Sequence, residues 1–211
     1  VYGDCITVER GKIYCSPGTG FVARFDARAG RMEWMRNYRP FTINQMIADS
    51  MGTAPLLDGD ALYCLPRDSN TLYAIDSRTG ELIWESFLPL PKEILGIRAG
   101  RILVRGLTGL IAFDARNGRV IWEAPYPEDF LRQAYLRGSS IYLATQEKLY
   151  RYEAETGIEL ETLDLSVGQS TLYHFALLGE NAYLVGDQPS LSEAKVELDS
   201  KGAGELLWEL P

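Results

Sequence analysis

Short runs of alternating apolar and polar residues, separated by glycine, asparagine, aspartate and serine, recur along the whole of this 211-residue chain. Alternation with a period of two puts successive side chains on opposite faces, the signature of half-buried strands rather than helices. The stretch from Thr53 to Ser86 shows the pattern best. TAPLL reads as a first strand, Asp58 to Asp60 as a tight turn, ALYCL as a second strand and Arg67 to Asn70 as a loop; TLYAID and ELIWES then form a third and a fourth strand. The first reversal recurs as Arg10-Gly11, Gly59-Asp60, Gly100-Arg101, Gly138-Ser139 and Gly179-Glu180, where glycine tolerates the positive φ that a two-residue hairpin demands. In the first hairpin, pairing Glu9 with Lys12 sets Ile6 opposite Cys15 and points the Cys5 and Cys15 side chains to opposite faces, so no disulfide between them is expected.

A longer period lies over this alternation. FDARAGRMEW ends at Trp34, IDSRTGELIW at Trp84, FDARNGRVIW at Trp122, YEAETGIELE at Glu161 and LDSKGAGELLW at Trp208. Their acidic residues, Asp26, Asp76, Asp114, Glu153 and Asp199, are spaced by 50, 38, 39 and 46 residues. An interval of about forty residues holding four short strands suits one blade of a propeller. The sequence thus predicts an all-β chain, a β-propeller of four-stranded antiparallel blades with five blades at approximately 4–36, 52–87, 93–124, 131–165 and 171–211, and an insertion at 36–53. In each last turn the acidic side chain is expected to accept backbone N–H groups, while Gly30, Gly80, Gly118, Gly157 and Gly204 take the left-handed conformation. The tryptophans are expected to fill the widening gap between neighbouring blades. Loss of the indole at Glu161 predicts looser rim packing in the fourth repeat.

Composition narrows the function classes. The net charge is −8 and the 21 basic residues are scattered rather than clustered, which argues against a nucleic-acid partner. No apolar run reaches the 18 or so residues of a membrane-spanning helix, so no membrane insertion is expected. Three cysteines without CxxC spacing and the lone His174 offer neither a disulfide framework nor a metal site. There is no phosphate-binding glycine loop, and the GTG at Gly18 to Gly20 reads as a strand connector. No cofactor is expected. Because the chain starts at Val1, the expectation is that something upstream was removed or left out.

The stretch LYAIDSRTGELIW, from Leu72 to Trp84, resembles the repeat of the PQQ-like propeller family, whose blades carry a pattern close to LYALDAxTGxxxW. The likeness extends over the whole chain and specifies turns and blade packing rather than a reaction. Quinone-dependent members would also carry an adjacent cysteine pair and a calcium site of Glu, Asn and Asp; this chain has no adjacent cysteines and only five repeats. What the resemblance implies is therefore the scaffold branch, a non-catalytic protein-interaction module with a protein partner in a periplasmic or extracytoplasmic setting. Relatives with more blades leave two readings, a closed ring of five or a piece of a larger propeller.

In a propeller, the loops joining second to third strands and one blade to the next share a face, which is the expected binding surface. The insertion brings Arg36, Tyr38, Arg39, Phe41, Asn44, Gln45 and Met46 there, a mix of Arg, aromatic and Met typical of interface cores. Arg67, Asp68, Arg105, Glu128, Asp129, Phe130 and Arg132 are expected on the same rim. Two alternatives use this face: a small-ligand or glycan sensor, and a five-bladed sugar-processing enzyme. The latter needs a pair of carboxylates flanking a glycosidic bond. Asp68, Glu93, Asp129 and Glu147 lie on suitable loops but read as solvated rim charges.

Overall fold

A computed structural model of the chain describes residues 5–40, 53–89, 91–126, 133–145 and 148–164, together with strands at 172–178, 181–186, 194–198 and 204–209. The chain divides into two compact units, Val1–Glu123 and Ala124–Pro211. Described by itself, the first unit holds three four-stranded sheets in which each strand pairs with the next in sequence. Sheet 1 contains β1 (Ile6–Glu9), β2 (Lys12–Cys15), β3 (Phe21–Asp26) and β4 (Met32–Asn37). Sheet 2 contains β5 (Leu56–Asp58), β6 (Ala61–Cys64), β7 (Thr71–Asp76) and β8 (Leu82–Phe87). Sheet 3 contains β9 (Pro91–Arg98), β10 (Arg101–Gly106), β11 (Gly109–Asp114) and β12 (Val120–Pro125), the last running into the unit boundary.

The second unit repeats the plan. Strands β13 (Gln133–Arg137), β14 (Ser140–Ala144), β15 (Lys148–Glu153) and β16 (Glu159–Asp164) pair in that order, as do β17 (Leu172–Leu178), β18 (Asn181–Gly186), β19 (Ala194–Leu198) and β20 (Gly204–Glu209). Across β15 and β16, Arg151 faces Glu161 and pairs with it at 3.3 Å, so an ion pair occupies the position that carries tryptophan in other repeats.

The hairpin registers follow the turn chemistry. Glu9 pairs with Lys12 and Ile6 with Cys15, around Arg10 and Gly11 at φ 52 and 72. Positive φ at both central positions is the type I′ reversal, whose twist matches that of the flanking strands. Gly59 and Gly138, at φ 60 and 56, instead occupy the first central position of turns completed by Asp60 and Ser139. The third reversal departs from expectation by one residue. Arg101 is held in the ladder opposite Asp114 and Arg98, so the turn is Ala99-Gly100, at φ 47 and 70, rather than Gly100-Arg101.

Period-two alternation assigns the core. On sheet 2, Leu62, Cys64, Tyr73 and Ile75 point toward sheet 1, where they pack with Tyr14, Val22 and Trp34. The alternate residues Tyr63, Leu65, Leu72, Ala74 and Trp84 point the other way and pack with Ile94, Ile102, Val104 and Phe113 of sheet 3. Each large apolar side chain so buried stabilises the fold by about 1.5–3 kcal/mol. Sheet 2 is consequently apolar on both faces, with Leu62, Leu72 and Ala74 wholly inaccessible.

Candidate interaction face

Each sheet of the first unit has two ends of different character. One end is built from turns. Asp26 Oδ1 accepts the N–H groups of Arg28 and Ala29 at 3.0 and 2.7 Å, Asp76 Oδ1 those of Arg78 and Thr79 at 2.8 and 3.0 Å, and Asp114 Oδ1 that of Arg116 at 2.8 Å. These bonds hold the Asp26 carboxyl down at about 2, through the Ala29 N–H first and the Lys12 ammonium second. Asp114 is held at about 2 chiefly by the Arg116 guanidinium, and Asp76 is lowered by the Thr79 and Arg78 amides. Glu153, one methylene longer, instead accepts the Thr156 hydroxyl at 2.5 Å. These carboxylates are occupied by their own turns.

Tryptophans clasp this end to the next sheet. The Trp34 indole N–H donates to the Ser77 carbonyl at 3.0 Å, and Trp84 donates to the Ala115 carbonyl at 3.0 Å. Each acceptor takes a second donor from the same sheet as its tryptophan, Arg24 at 2.5 Å and the Tyr63 hydroxyl at 3.0 Å. The indole nitrogen of half-buried Trp122 is itself buried, with no partner among the described residues. Arg36 is drawn into the same arrangement, donating to the Gly80 carbonyl at 3.3 Å.

The opposite end carries the connectors between second and third strands. Asp68 sits there with 5% of its surface exposed, its Oδ1 accepting the Tyr38 hydroxyl at 2.5 Å and its Oδ2 the Gly20 N–H at 3.0 Å. The Tyr38 N–H donates in turn to the Gly20 carbonyl at 2.9 Å, and its ring packs against Tyr73 at 5.5 Å between centroids. Burial, then the Asp68 carboxylate, raises the Tyr38 phenol well above its ordinary value. Arg67 lies over Gly18, where a Cβ would meet its Cγ at 2.5 Å. In sheet 3, Arg105 is 9% exposed and donates to Glu93 at 2.6 Å. The reading of Asp68 as a solvated rim charge is therefore corrected, since a buried carboxylate must be paired or fully hydrogen-bonded and Asp68 is; Glu93 is half-buried and paired with Arg105.

Of the residues expected on the binding surface, Tyr38, Arg67 and Asp68 are brought together, Arg39 is exposed nearby in sequence, Arg105 is tied into sheet 3, and Arg36 points to the turn end. Phe41, Asn44, Gln45, Met46, Glu128, Asp129, Phe130, Arg132 and Glu147, with the side chain of His174, lie outside the described residues. Two further residues on this end are not singled out by the sequence pattern. Phe87 is 70% exposed at the last position of β8, and Leu107 is 43% exposed in the connector from β10 to β11. Both left a trace: Phe87 shares the polar face of Glu85 in the alternation, and Leu107 is an apolar residue within a Gly-Leu-Thr-Gly turn. Among the described residues no three metal-ligating side chains converge, and no helix is long and apolar enough to cross a membrane.

Repeated four-stranded antiparallel sheets, the first joined to the second and the second to the third through an outer-strand tryptophan seated on the next sheet's Asp-to-Gly turn, mark a PQQ-like repeat protein. The sequence matches the family described as outer membrane protein assembly factor BamB over residues 2–157 and again over 68–211, and the chain belongs to that family. Among solved structures it is similar to BamB from Moraxella catarrhalis, a PQQ-like β-propeller, with a TM-score of 0.68 and 18% identity over 99% of this chain. It is also similar to the computationally designed Ika8 protein, with a TM-score of 0.67 and 10% identity over 97% of this chain. At such identities the likeness is one of fold. The chain spans 61% of the solved BamB chain and 60% of the designed one. No curated protein matches the sequence.

Proposed function

We propose that the chain is a scaffold of five PQQ-like propeller blades that binds a protein partner through the connector end and does no chemistry there. The observation that carries this reading is the pairing of exposed apolar side chains with committed carboxylates. Phe87 and Leu107 present large apolar surface to solvent on the end where Arg39 and Arg67 also lie. Aromatic and arginine side chains are the groups that dominate protein interfaces. Asp68 and Glu93 are held by structural donors, which weighs against the sugar-processing alternative.

The insertion residues Phe41, Gln45 and Met46, with Phe130 and Arg132, belong to the proposed surface by sequence. The family's description, an outer membrane protein assembly factor, supports a partner within that assembly machinery and an extracytoplasmic location. The test is binding of the purified machinery to the double variant Phe87→Ala, Leu107→Ala. Affinity should fall about tenfold or more, as for loss of a central apolar anchor, with the melting temperature unchanged. Unaltered affinity would sink the assignment of this surface.

A further inference from the structure

Asn117-Gly118 is the one Asn-Gly step in the chain, and it lies in the turn from β11 to β12. In a mobile chain that dipeptide is chemically unstable. The glycine nitrogen, with no side chain to hinder it, attacks the asparagine amide carbon. A carbon–nitrogen bond forms, the side-chain nitrogen leaves as ammonia carrying the backbone amide proton, and a cyclic imide results. Water then opens the imide at one carbonyl or the other, giving aspartate or an isoaspartyl link that routes the backbone through the extra methylene. The attack needs a base to reach the glycine N–H, and a glycine free to bring its nitrogen onto the neighbouring side chain.

The fold withholds both. The Gly118 N–H donates to the Asp114 carbonyl at 2.8 Å, and Asn117 Oδ1 accepts the Arg119 N–H at 2.9 Å. Nucleophile and electrophile are each engaged elsewhere, although Asn117 itself is exposed. Gly118 is buried at φ +71, and the Trp84 ring lies so close that a Cβ there would meet its Cε3 at 2.4 Å. The ring is itself tied to this turn, its N–H donating to the Ala115 carbonyl at 3.0 Å. The turn can therefore rearrange only when Trp84 lifts.

Nothing in the turn's hydrogen bonding requires an amide. At the equivalent position sheet 2 has Thr79 and the β15–β16 turn has Thr156, whose hydroxyls accept the N–H two residues on at 3.2 and 3.3 Å, the bond that Asn117 makes. Threonine offers no carbonyl carbon to attack. Sheet 3 thus does with a labile group what those turns do with an inert one.

We infer that Asn117-Gly118 is a latent modification site guarded by the Trp84 clasp: it deamidates only when sheets 2 and 3 part locally, and its isoaspartyl product bars the clasp from closing again. The added backbone atom displaces Gly118 from beneath the ring, and a close-packed contact has no slack to absorb it. Local opening is ordinarily reversible. Chemistry on the opened turn makes it permanent.

The test incubates the 211-residue chain at mildly alkaline pH and follows the peptide containing Asn117 by mass spectrometry. Conversion in the folded chain should be at least about tenfold slower than in the same chain unfolded in urea, because protection follows the free energy of opening. Trp84→Phe keeps a ring but loses the bond to Ala115, and should speed conversion about fivefold, the equivalent of one neutral hydrogen bond. Trp34→Phe makes the same loss between sheets 1 and 2 and should leave the rate as it was. The isoaspartyl fraction of aged protein should melt lower than fresh protein, and Asn117→Thr should age without that change. Equal rates in the folded and unfolded chains, or an unaltered rate in Trp84→Phe, overturn the guard. So does equal acceleration by Trp34→Phe, which would tie conversion to global unfolding. An isoaspartyl chain that melts like fresh protein overturns the bar to reclosure.

Discussion

Gly118 and Gly100 stand at nearly the same backbone angle, φ 71 and 70, but in different surroundings. An alanine at either must enter the left-handed region, at a cost of about 1–2 kcal/mol. At Gly100 the new Cβ meets nothing within 4 Å, whereas at Gly118 it would lie 2.4 Å from Cε3 of Trp84. The ring would have to move within a packed core, adding about 1–3 kcal/mol. Gly118→Ala should therefore destabilise the protein clearly more than Gly100→Ala in urea unfolding. Equal losses would mean that the indole yields without cost and that close approach is no part of the glycine's role. The need for positive φ could be read from the spacing of Asp114 and Gly118. The need for bare backbone under the ring could not, because it comes from a residue on another sheet.

The same distinction holds for whole strands and connectors. Alternation and turn residues disclosed the order of strands and the first hairpin's register, because both are decided within one repeat. The burial of Asp68 is not legible in the sequence, because nothing in Arg67 to Asn70 announces that Gly20 and Tyr38 will close over it; that burial is created by the neighbouring sheet. The exposure of Phe87 and Leu107 is hidden in the sequence for the related reason that exposure of an apolar residue depends on what fails to cover it. The sequence predicts the tryptophans as fillers between blades, and Trp34 and Trp84 are also hydrogen-bonded clasps. The two contributions separate by substitution. Trp84→Phe keeps most of the packing but removes the donor to Ala115, whose carbonyl keeps the Tyr63 hydroxyl, so a loss of about 1 kcal/mol is expected plus the small void. Trp84→Ala removes the ring from between sheets 2 and 3 and should cost about 3–5 kcal/mol. If the phenylalanine variant lost as much as the alanine one, the hydrogen bond rather than the ring would be the main clasp.

At the scale of the molecule, the turn carboxylates and the buried phenols bound the pH range of stability from opposite sides. Asp26, Asp76, Asp114 and Glu33 all have depressed values in the fold, Asp26 and Asp114 at about 2. A depressed carboxylate adds stability at pH above its unfolded value, near 4, and loses it as the pH falls through the folded one. Stability should thus decline from about pH 4 toward pH 2, steepened by repulsion among the 21 basic residues once the acids are neutral. On the alkaline side, burial raises Tyr63, pushes Tyr152 up to about 12, and raises Tyr38 and the Cys64 thiol further. A raised acid is stabilising below its unfolded value and loses that contribution as pH climbs toward the folded one. The unfolded thiol ionises near 8.5 and the phenols near 10, so stability should fall from about pH 9 upward. Melting temperature against pH should show a plateau between roughly pH 5 and 8 with a fall on each side. Replacing Asp26 and Asp114 together with Asn should lower the plateau and flatten the acid limb while leaving the alkaline limb in place. An acid limb that kept its slope in that double variant would show that the turn carboxylates are not what the fold loses in acid.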